Sequence, residues 1–186
     1  MGKVFGELIT DRLVLKCLNG DYAERVTEYY LRNQNFLKPW EPWRRADFYT
    51  ILYQLRDMQN QWYLINKGEL VKYWIFLKED REFQKVLGLV SLNDIAGSPH
   101  HTCFIGYALD QAEGKKGYMK EAVKAVLDYA FRELELNRIE ANIMPHNLDS
   151  LKVAKKLGFE LSGQMNRFLQ IDGQWQEHLC LVRYRS

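Results

Sequence analysis

Apolar residues recur along the chain at two spacings, and the helical spacing is the clearer of the two. Four segments place apolar side chains at i, i+3 and i+4 intervals, which predicts helices with one buried face. These helices are expected after Asn19 and Asp21, after Asp47, from Met119 to Leu134 and from Leu148 to Leu157. The last of them stops at Gly158, a residue type that commonly follows the C-terminus of a helix.

Other segments alternate apolar and polar residues or are apolar throughout, as strands are. Seven such segments lie at 12–18, 72–78, 85–93, 102–109, 139–143, 164–172 and 174–184. The second and third are expected to form a hairpin around Glu79–Glu82, and the last two join at Asp172-Gly173, a strong hairpin signal. The order of these elements predicts a mixed sheet with interleaved helices, an α/β or α+β fold.

The chain of 186 residues contains no internal repeat, low-complexity stretch or linker rich in Pro, Gly and Ser. We therefore expect one domain over residues 1–186. The segment FLKPWEPW at 36–43 is expected to be a structured loop. Cys17, Cys103 and Cys180 are too scattered for a metal site, and we expect them to be reduced in a cytoplasmic protein.

Charge and hydropathy argue against several classes of function. The net charge is +2 with 27% charged residues, which does not indicate a nucleic acid or a membrane as a direct partner. No apolar run reaches the about 18 residues that cross a bilayer. The first ten residues lack the apolar core of a signal peptide. The four histidines show no ligand spacing, so no metal is expected, and the chain could be a monomer or a homodimer.

The segment GYALDQAEGKKGYMKEA at 106–122 carries the main chemical signal. A strand leads into a turn rich in glycine and lysine, and the turn leads directly into an amphipathic helix. The first turn of a helix has N–H groups without partners, and its dipole favours an anion. Gly114 and Gly117 allow close approach of a ligand, and Lys115 and Lys116 add positive charge. These residues alone leave two interpretations open, a diphosphate site and a solvated basic turn.

Neither the P-loop spacing nor the dinucleotide fingerprint is present in this turn. Here the sequence resembles the GNAT acetyltransferases, specifically their RimJ/RimL-type ribosomal-protein-alanine branch. The matching elements are TDRLVLK (10–16), FLKPW (36–40), residues 106–122, IEANIMPHNLDSLKVAKKLGF (139–159) and residues 158–178. The resemblance covers nearly the whole chain. It implies the GNAT acyl-CoA N-acyltransferase fold, a mixed, mostly antiparallel sheet of about seven strands flanked by about four helices. The acetyl-CoA motif would span about residues 102–160.

The loop departs from the family pattern at one position. The family usually has Q/R-x-x-G-x-G/A there. One alignment places Lys115 at the first glycine and Ala112 at the Gln or Arg. The other matches Gln111 and Gly114 but places Lys116 at the last glycine. Both alignments put a lysine where glycine is expected.

The resemblance also implies an activity, the transfer of an acetyl group from acetyl-CoA to a primary amine by direct attack on the thioester. The implied acceptor is the N-terminal amine of an alanine in a ribosomal or other protein. Residues of the strand, the loop and two asparagines would contact acetyl-CoA: Tyr107, Ala108, Leu109, Gly114, Lys115, Lys116, Gly117, Tyr118, Met119, Asn142 and Asn147. Asn142 is expected there if residues 139–143 alternate as a strand, but on periodicity alone its side chain could equally face outside. Ser150 would donate a proton to the departing thiolate, and helix capping is its alternative role.

Trp40 and Asn93 are expected to contact the acceptor, although Trp40 could equally pack its loop over the core. Glu69 is the expected base, with Glu41 and Asp94 as rivals. A protein N-terminus has a pKa of about 7.7–8.0 and a lysine about 10.4, so an N-terminal acceptor needs only a weak base.

Other functions remain open from the sequence. The same chemistry could act on a small amine, an antibiotic or a lysine side chain. A non-catalytic module that binds CoA or a nucleotide could use the same turn. A P-loop-like nucleotide binder is disfavoured by the spacing of the glycines.

Overall fold

The computed structural model describes residues 6–186, and over these residues it has eight strands and four α-helices. In chain order they are β1 (Leu8–Ile9), β2 (Leu13–Lys16), α1 (Ala23–Leu37), α2 (Ile51–Lys67), β3 (Val71–Leu77), β4 (Gly88–Ala96), β5 (Thr102–Leu109), α3 (Tyr118–Arg132), β6 (Arg138–Ile143), α4 (Leu148–Lys156), β7 (Glu160–Ile171) and β8 (Gln174–Tyr184). The first five residues, part of the segment in which no signal peptide is expected, lie outside the described residues.

The eight strands form one sheet in the order β1-β2-β3-β4-β5-β6-β8-β7. Every neighbouring pair is antiparallel except β5 and β6. This mixed sheet with four helices confirms the predicted fold class, with eight strands instead of about seven. The additional strand is β1, which pairs with Val14 and Leu15 and is too short to show an alternating pattern.

Helices cover both faces of the sheet. Along β3, Val71, Tyr73 and Ile75 belong to a buried cluster that includes residues of α3 and α4. Trp74 and Phe76 belong to a second cluster that includes residues of α1 and α2. Because successive side chains of a strand point to opposite faces, the two clusters lie on opposite sides of the sheet. One face therefore carries α3 and α4, and the other carries α1 and α2.

Capping residues explain where two helices begin. Thr50 Oγ1 accepts a hydrogen bond from the N–H of Tyr53 (3.3 Å), so α2 starts after Thr50 and not directly after Asp47. Residues 46–49 form a short 3-10 turn instead. The side chain of Asn19 accepts from the N–H of Asp21, and this cap opens a second 3-10 turn that precedes α1.

Both predicted hairpins form, since β3 pairs with β4 and β7 pairs with β8. The second hairpin turns at Asp172 and Gly173, whose φ angles of 44° and 79° suit the turn that their sequence predicts. β4 ends three residues later than predicted, with an irregularity in its pairing between Asn93 and Ala96.

Candidate active site

β5 and β6 separate soon after they meet. Their parallel pairing joins residues 102–104 to residues 138–140, and within residues 6–186 no further pair connects them. β5 continues to Leu109 and is held on its other side by β4. The backbone groups that β5 turns toward β6 beyond Phe104 therefore have no strand partner. They line an opening in the sheet.

The loop after β5, residues 110–117, contains two residues in left-handed backbone conformation. Lys115 has a φ of 63° and Gly117 a φ of 84°. This spacing matches the two glycines of the GNAT loop pattern, so the geometry favours the alignment that places Lys115 at the first glycine. A lysine adopts this conformation at a cost of roughly 1–2 kcal/mol.

The N-terminus of α3 is suited to bind an anion. No side chain of the described residues caps it, so its first N–H groups keep their hydrogen-bonding capacity. The dipole of this 15-residue helix adds partial positive charge. Lys116 bonds to Glu113 Oε2 at 2.8 Å, whereas Lys115 is exposed and makes no ion pair within the described chain. Of the two lysines, Lys115 is therefore the one without a carboxylate partner in the described chain.

A buried amide oxygen beside the opening lacks a partner. Asn142 lies on β6, two residues past Glu140, and its Oδ1 has no hydrogen-bond partner among the described residues. A buried acceptor without a donor costs free energy unless a ligand or water supplies one. The pantetheine arm of CoA carries amide N–H groups, so the residues around the opening fit this ligand.

Ser150 lies in the first turn of α4 with its hydroxyl unengaged. Its N–H donates to Asn147 Oδ1 (3.2 Å), which makes Asn147 the capping residue of this helix. Its carbonyl accepts a hydrogen bond from the Tyr107 hydroxyl (2.9 Å). The hydroxyl of Ser150 makes no hydrogen bond within the described residues, so it is available for proton transfer.

A cleft of about 300 Å³ lies on the face of the sheet that carries α1 and α2. Tyr30, Leu70, Leu89 and Ser91 are among its lining residues. Ser91 lies opposite Gly106 in the register of β4 and β5. The floor of the cleft therefore reaches the strand that borders the opening.

Three half-buried charged residues also line this cleft, Glu41, Arg44 and Lys72. Arg44 Nε is buried, lies 3.6 Å from Glu41 Oε2 and has no hydrogen-bond partner among the described residues. Burial raises the pKa of Glu41, an effect that the cations of Arg44 and Lys72 partly offset. Burial lowers the pKa of Lys72 to about 8, opposed by the carboxylates of Asp57 and Glu41. A carboxylate with a raised pKa is the better proton acceptor.

Comparison with known families decides what this arrangement is. The family model of the acetyltransferase (GNAT) domain matches residues 12–160, which contain the opening, the loop and the cleft. The chain belongs to the GNAT acetyltransferase family. This confirms the predicted chemistry, the transfer of an acetyl group from acetyl-CoA to an amine.

Individual relatives of the acetyltransferase agree with this assignment. The chain is 36% identical over 174 residues to the ribosomal protein uS5-alanine N-acetyltransferase of Escherichia coli, covering 92% of this chain and 87% of that protein. It is 39% identical over 160 residues to the probable N-acetyltransferase YjcK of Bacillus subtilis, covering 86% and 87%. The crystal structure of ribosomal-protein-S5-alanine acetyltransferase from Vibrio fischeri matches with a TM-score of 0.91 at 27% identity, over 98% of both chains.

The residues expected to contact acetyl-CoA lie along one path through the acetyltransferase, from β5 through the loop to α3, with β6 and α4 beside it. The two residues expected at the acceptor lie at different places, Asn93 in the cleft and Trp40 next to His146. Asn93 lines the cleft, and its Nδ2 donates to Ser91 Oγ at 3.0 Å. The ring of Trp40 packs against that of His146, with 5.4 Å between centroids and an interplanar angle of 35°, which brings the 36–43 loop next to the segment between β6 and α4.

The three candidate carboxylates differ in their exposure and in their neighbours. Glu69 is exposed just before β3, and its Oε1 lies 3.9 Å from Lys67 Nζ. Asp94 is exposed within the irregular end of β4, with a φ of 51°. Glu41 is the one of the three that lines the cleft.

Sequence reasoning missed Arg44 and Lys72. A signal for Lys72 was available, because it interrupts the apolar run VKYWIFL at 71–77 and a charged residue in a buried strand is unusual. Arg44 carried no such signal, since it is one of several charged residues in a loop.

Three further observations concern other functions. No helix in the described part of the chain is long and apolar enough to cross a membrane. Residues 6–186 contain no group of three or more His, Cys, Asp or Glu side chains that could hold a metal ion. Burial raises the pKa of both Cys17 and Cys103 to about 12, so both are thiols at neutral pH.

Proposed function

We propose that this enzyme acetylates the N-terminal α-amine of a ribosomal protein, with the alanine terminus of uS5 as its first candidate. The observation that carries the proposal is the opening between β5 and β6, which lies between the loop of residues 110–117, the donor loop, and the cleft with the half-buried carboxylate of Glu41, the acceptor cleft. The relative named for uS5-alanine acetylation, 36% identical over 92% of the chain, supports the acceptor. We further propose that the reaction takes place in the cytoplasm.

The proposed reaction forms a C–N bond and breaks a C–S bond. The neutral amine attacks the thioester carbonyl, and the N–H of Leu109, which the pairing of β5 with β4 leaves on the free edge, stabilises the negative charge on its oxygen. The thiolate then leaves and takes the hydroxyl proton of Ser150, which solvent replaces. The amine nitrogen releases its proton to a base in the cleft.

We propose Glu41, instead of the expected Glu69, as the carboxylate that receives this proton directly or through water. Glu41 lines the cleft and its pKa is raised by burial, whereas Glu69 is exposed beside Lys67. The demand on this base is small, because an α-amine with a pKa of about 7.7–8.0 is already partly neutral near pH 7. A lysine acceptor at about 10.4 would need a much stronger base.

The acceptor is tested with purified uS5 whose N-terminus is unmodified, beside other ribosomal proteins, small amines and an aminoglycoside. Acetyl transfer is followed by intact-mass spectrometry with acetyl-CoA as the donor. We expect uS5 to gain one acetyl group faster than any other acceptor. Acetylation of a small amine alone would replace the proposed acceptor, and CoA binding without any transfer would indicate a binding module.

The role of Ser150 is tested with Ser150→Ala. We expect kcat to fall at least about tenfold while the Kd for CoA stays unchanged. Ser162→Ala, on exposed β7, is the matched control and should behave as wild type. An unchanged kcat in Ser150→Ala would remove Ser150 from the mechanism.

A further inference from the structure

Helix α1 contacts the donor loop through two consecutive polar residues, Arg32 and Asn33. They hydrogen-bond to Asp110 and to the backbone of Gln111, each 78 residues away in the sequence. These contacts lie at the point where β5 ends and the loop begins. The helix that helps to form the acceptor cleft therefore also touches the donor side.

Asn33 is 1% exposed and uses both ends of its amide. Its Nδ2 donates to the carbonyl of Tyr29 one turn earlier (2.9 Å), and its Oδ1 accepts the N–H of Gln111 (3.0 Å). The first bond orients the amide, and the second holds the loop. Asparagine is a poor residue for the interior of a helix, so its position is better explained by the bond to the loop than by helix formation.

Arg32 holds the neighbouring residue of the loop. Its Nε donates to Asp110 Oδ2 at 2.6 Å, and a terminal nitrogen of its guanidinium donates to the carbonyl of Val86, before β4. Asp110 is 4% exposed, and its Oδ1 accepts the N–H of Ala112 at 2.9 Å. Burial acts to raise the pKa of Asp110, but these hydrogen bonds outweigh it and lower the pKa. One carboxylate thus ties α1 to the first turn of the loop.

The next part of the loop has a second anchor. Glu113 is 7% exposed and accepts hydrogen bonds from Lys85 and Lys116, both at 2.8 Å. Side-chain contacts therefore hold the loop from Asp110 to Lys116 against the rest of the protein. The uncapped N–H groups at the start of α3 stay available for a ligand.

We propose that Arg32 and Asn33 are positioning residues for acetyl-CoA, which fix Asp110 and Gln111 so that the N–H groups of the loop and of α3 converge on the diphosphate. A ligand gains affinity when its donors are held in place before it binds. A buried ion pair is by itself weak evidence for a stabilising role, because desolvation offsets the attraction. The effect is therefore expected in CoA affinity more than in global stability.

The test is Arg32→Gln, which removes the charge and the bond to Asp110. We expect the Kd for CoA, measured by calorimetry, to rise at least about tenfold. Hydrogen exchange should accelerate at residues 111–118 and stay at the wild-type rate in the second half of α3. Neither measurement needs an acceptor, so failure of the proposed acceptor would leave this result intact.

Arg25→Gln is the matched control on the same helix. The guanidinium of Arg25 packs 5.1 Å from the ring centroid of Tyr22, and we expect wild-type CoA affinity. Arg32→Lys keeps the charge but not the planar fork, so it should recover part of the affinity. If Arg32→Gln does not fold, Asp110→Asn breaks the same contact and carries the same expectations. A folded variant with the wild-type Kd, or with exchange accelerated equally throughout the chain, would overturn the proposal.

Discussion

Gly117 ends the donor loop with a φ of 84°, and a Cβ added there would lie 3.4 Å from the Arg12 side chain. Left-handed backbone costs an L-residue roughly 1–2 kcal/mol. We expect Gly117→Ala to lower the free energy of unfolding by about 1 kcal/mol and to weaken CoA binding. Urea unfolding and calorimetry measure the two effects. Gly163→Ala is the control, because its Cβ would have no atom within 4 Å. Wild-type stability and affinity in Gly117→Ala would show that the loop does not need this glycine.

Glu41 and Glu69 form a matched pair for testing the acceptor side. We expect Glu41→Gln to lower kcat/KM for an acceptor peptide at least about tenfold, because it removes the carboxylate of the cleft. Glu69→Gln should change it by less than about twofold, since that carboxylate is exposed. Steady-state kinetics with a uS5 peptide decide between them. The opposite order of the two variants would return Glu69 to the role that the sequence predicts.

Lys72 gives the stability of the fold a pH dependence of known sign. Burial lowers its pKa to about 8 in a cleft shared with Glu41 and Arg44, and the carboxylates of Asp57 and Glu41 partly oppose this shift. Between pH 8 and about 10.4 the unfolded chain binds more protons at this group, so its contribution to the free energy of unfolding rises with pH. Below pH 8 the cost of burying the charge is fully present.

Lys72→Met removes that cost. We expect the variant to be more stable than wild type near neutral pH, with a gain that shrinks as the pH approaches 10. Urea unfolding at both pH values measures it, and exposed Lys155→Met serves as the control. A gain of the same size at both pH values would contradict the burial argument.

Between secondary-structure elements, the bond from the Tyr107 hydroxyl to the Ser150 carbonyl joins β5 to α4. Tyr107→Phe removes this bond alone, so we expect a loss of roughly 0.5–1.5 kcal/mol in the free energy of unfolding. Because Ser150 would be held less firmly, kcat should fall more than the KM for acetyl-CoA changes. Tyr63→Phe, at an exposed position of α2, is the control. A loss of stability with unchanged kcat would make the bond purely structural.

The elements that the sequence predicted best are those encoded by local signals. The apolar period of α3, the Asp172-Gly173 turn and the strands of the two hairpins all follow from neighbouring residues. β1 was missed because two residues show no period. α2 begins later than expected, because Thr50 caps it instead of Asp47.

The site was less predictable because its parts are distant in sequence. The loop, Asn147 and Ser150 came from a resemblance, while the contacts of Arg32 and Asn33 with the loop exist only after the chain has folded. The choice between the two loop alignments, with Lys115 or Lys116 at a glycine position, also required backbone angles, since the sequence alone is compatible with both. Charge patterns do not reveal which carboxylate a cleft encloses.

In the folded molecule, the donor loop and the acceptor cleft lie on two sides of one opening in the sheet. The loop leads into α3 on one face, and the cleft lies on the face that carries α1 and α2. β5 borders the opening and pairs with β4, whose residues line the cleft, so an amine and a thioester brought to the two sides would meet at the free edge of β5. α1 serves both sides, because Tyr30 lines the cleft and Arg32 holds the loop.

The central claim is acetyl transfer to an N-terminal α-amine. Its most direct test uses two peptides with the alanine-initiated N-terminal sequence of uS5 and an internal lysine, one with a free α-amine and one with a formylated α-amine. After incubation with the enzyme and acetyl-CoA, fragmentation mass spectrometry locates the acetyl group. We predict one acetyl group on the alanine of the free peptide and none on the formylated peptide. Acetylation of the lysine in both peptides, or no transfer to either peptide by a protein that binds CoA, would contradict the account.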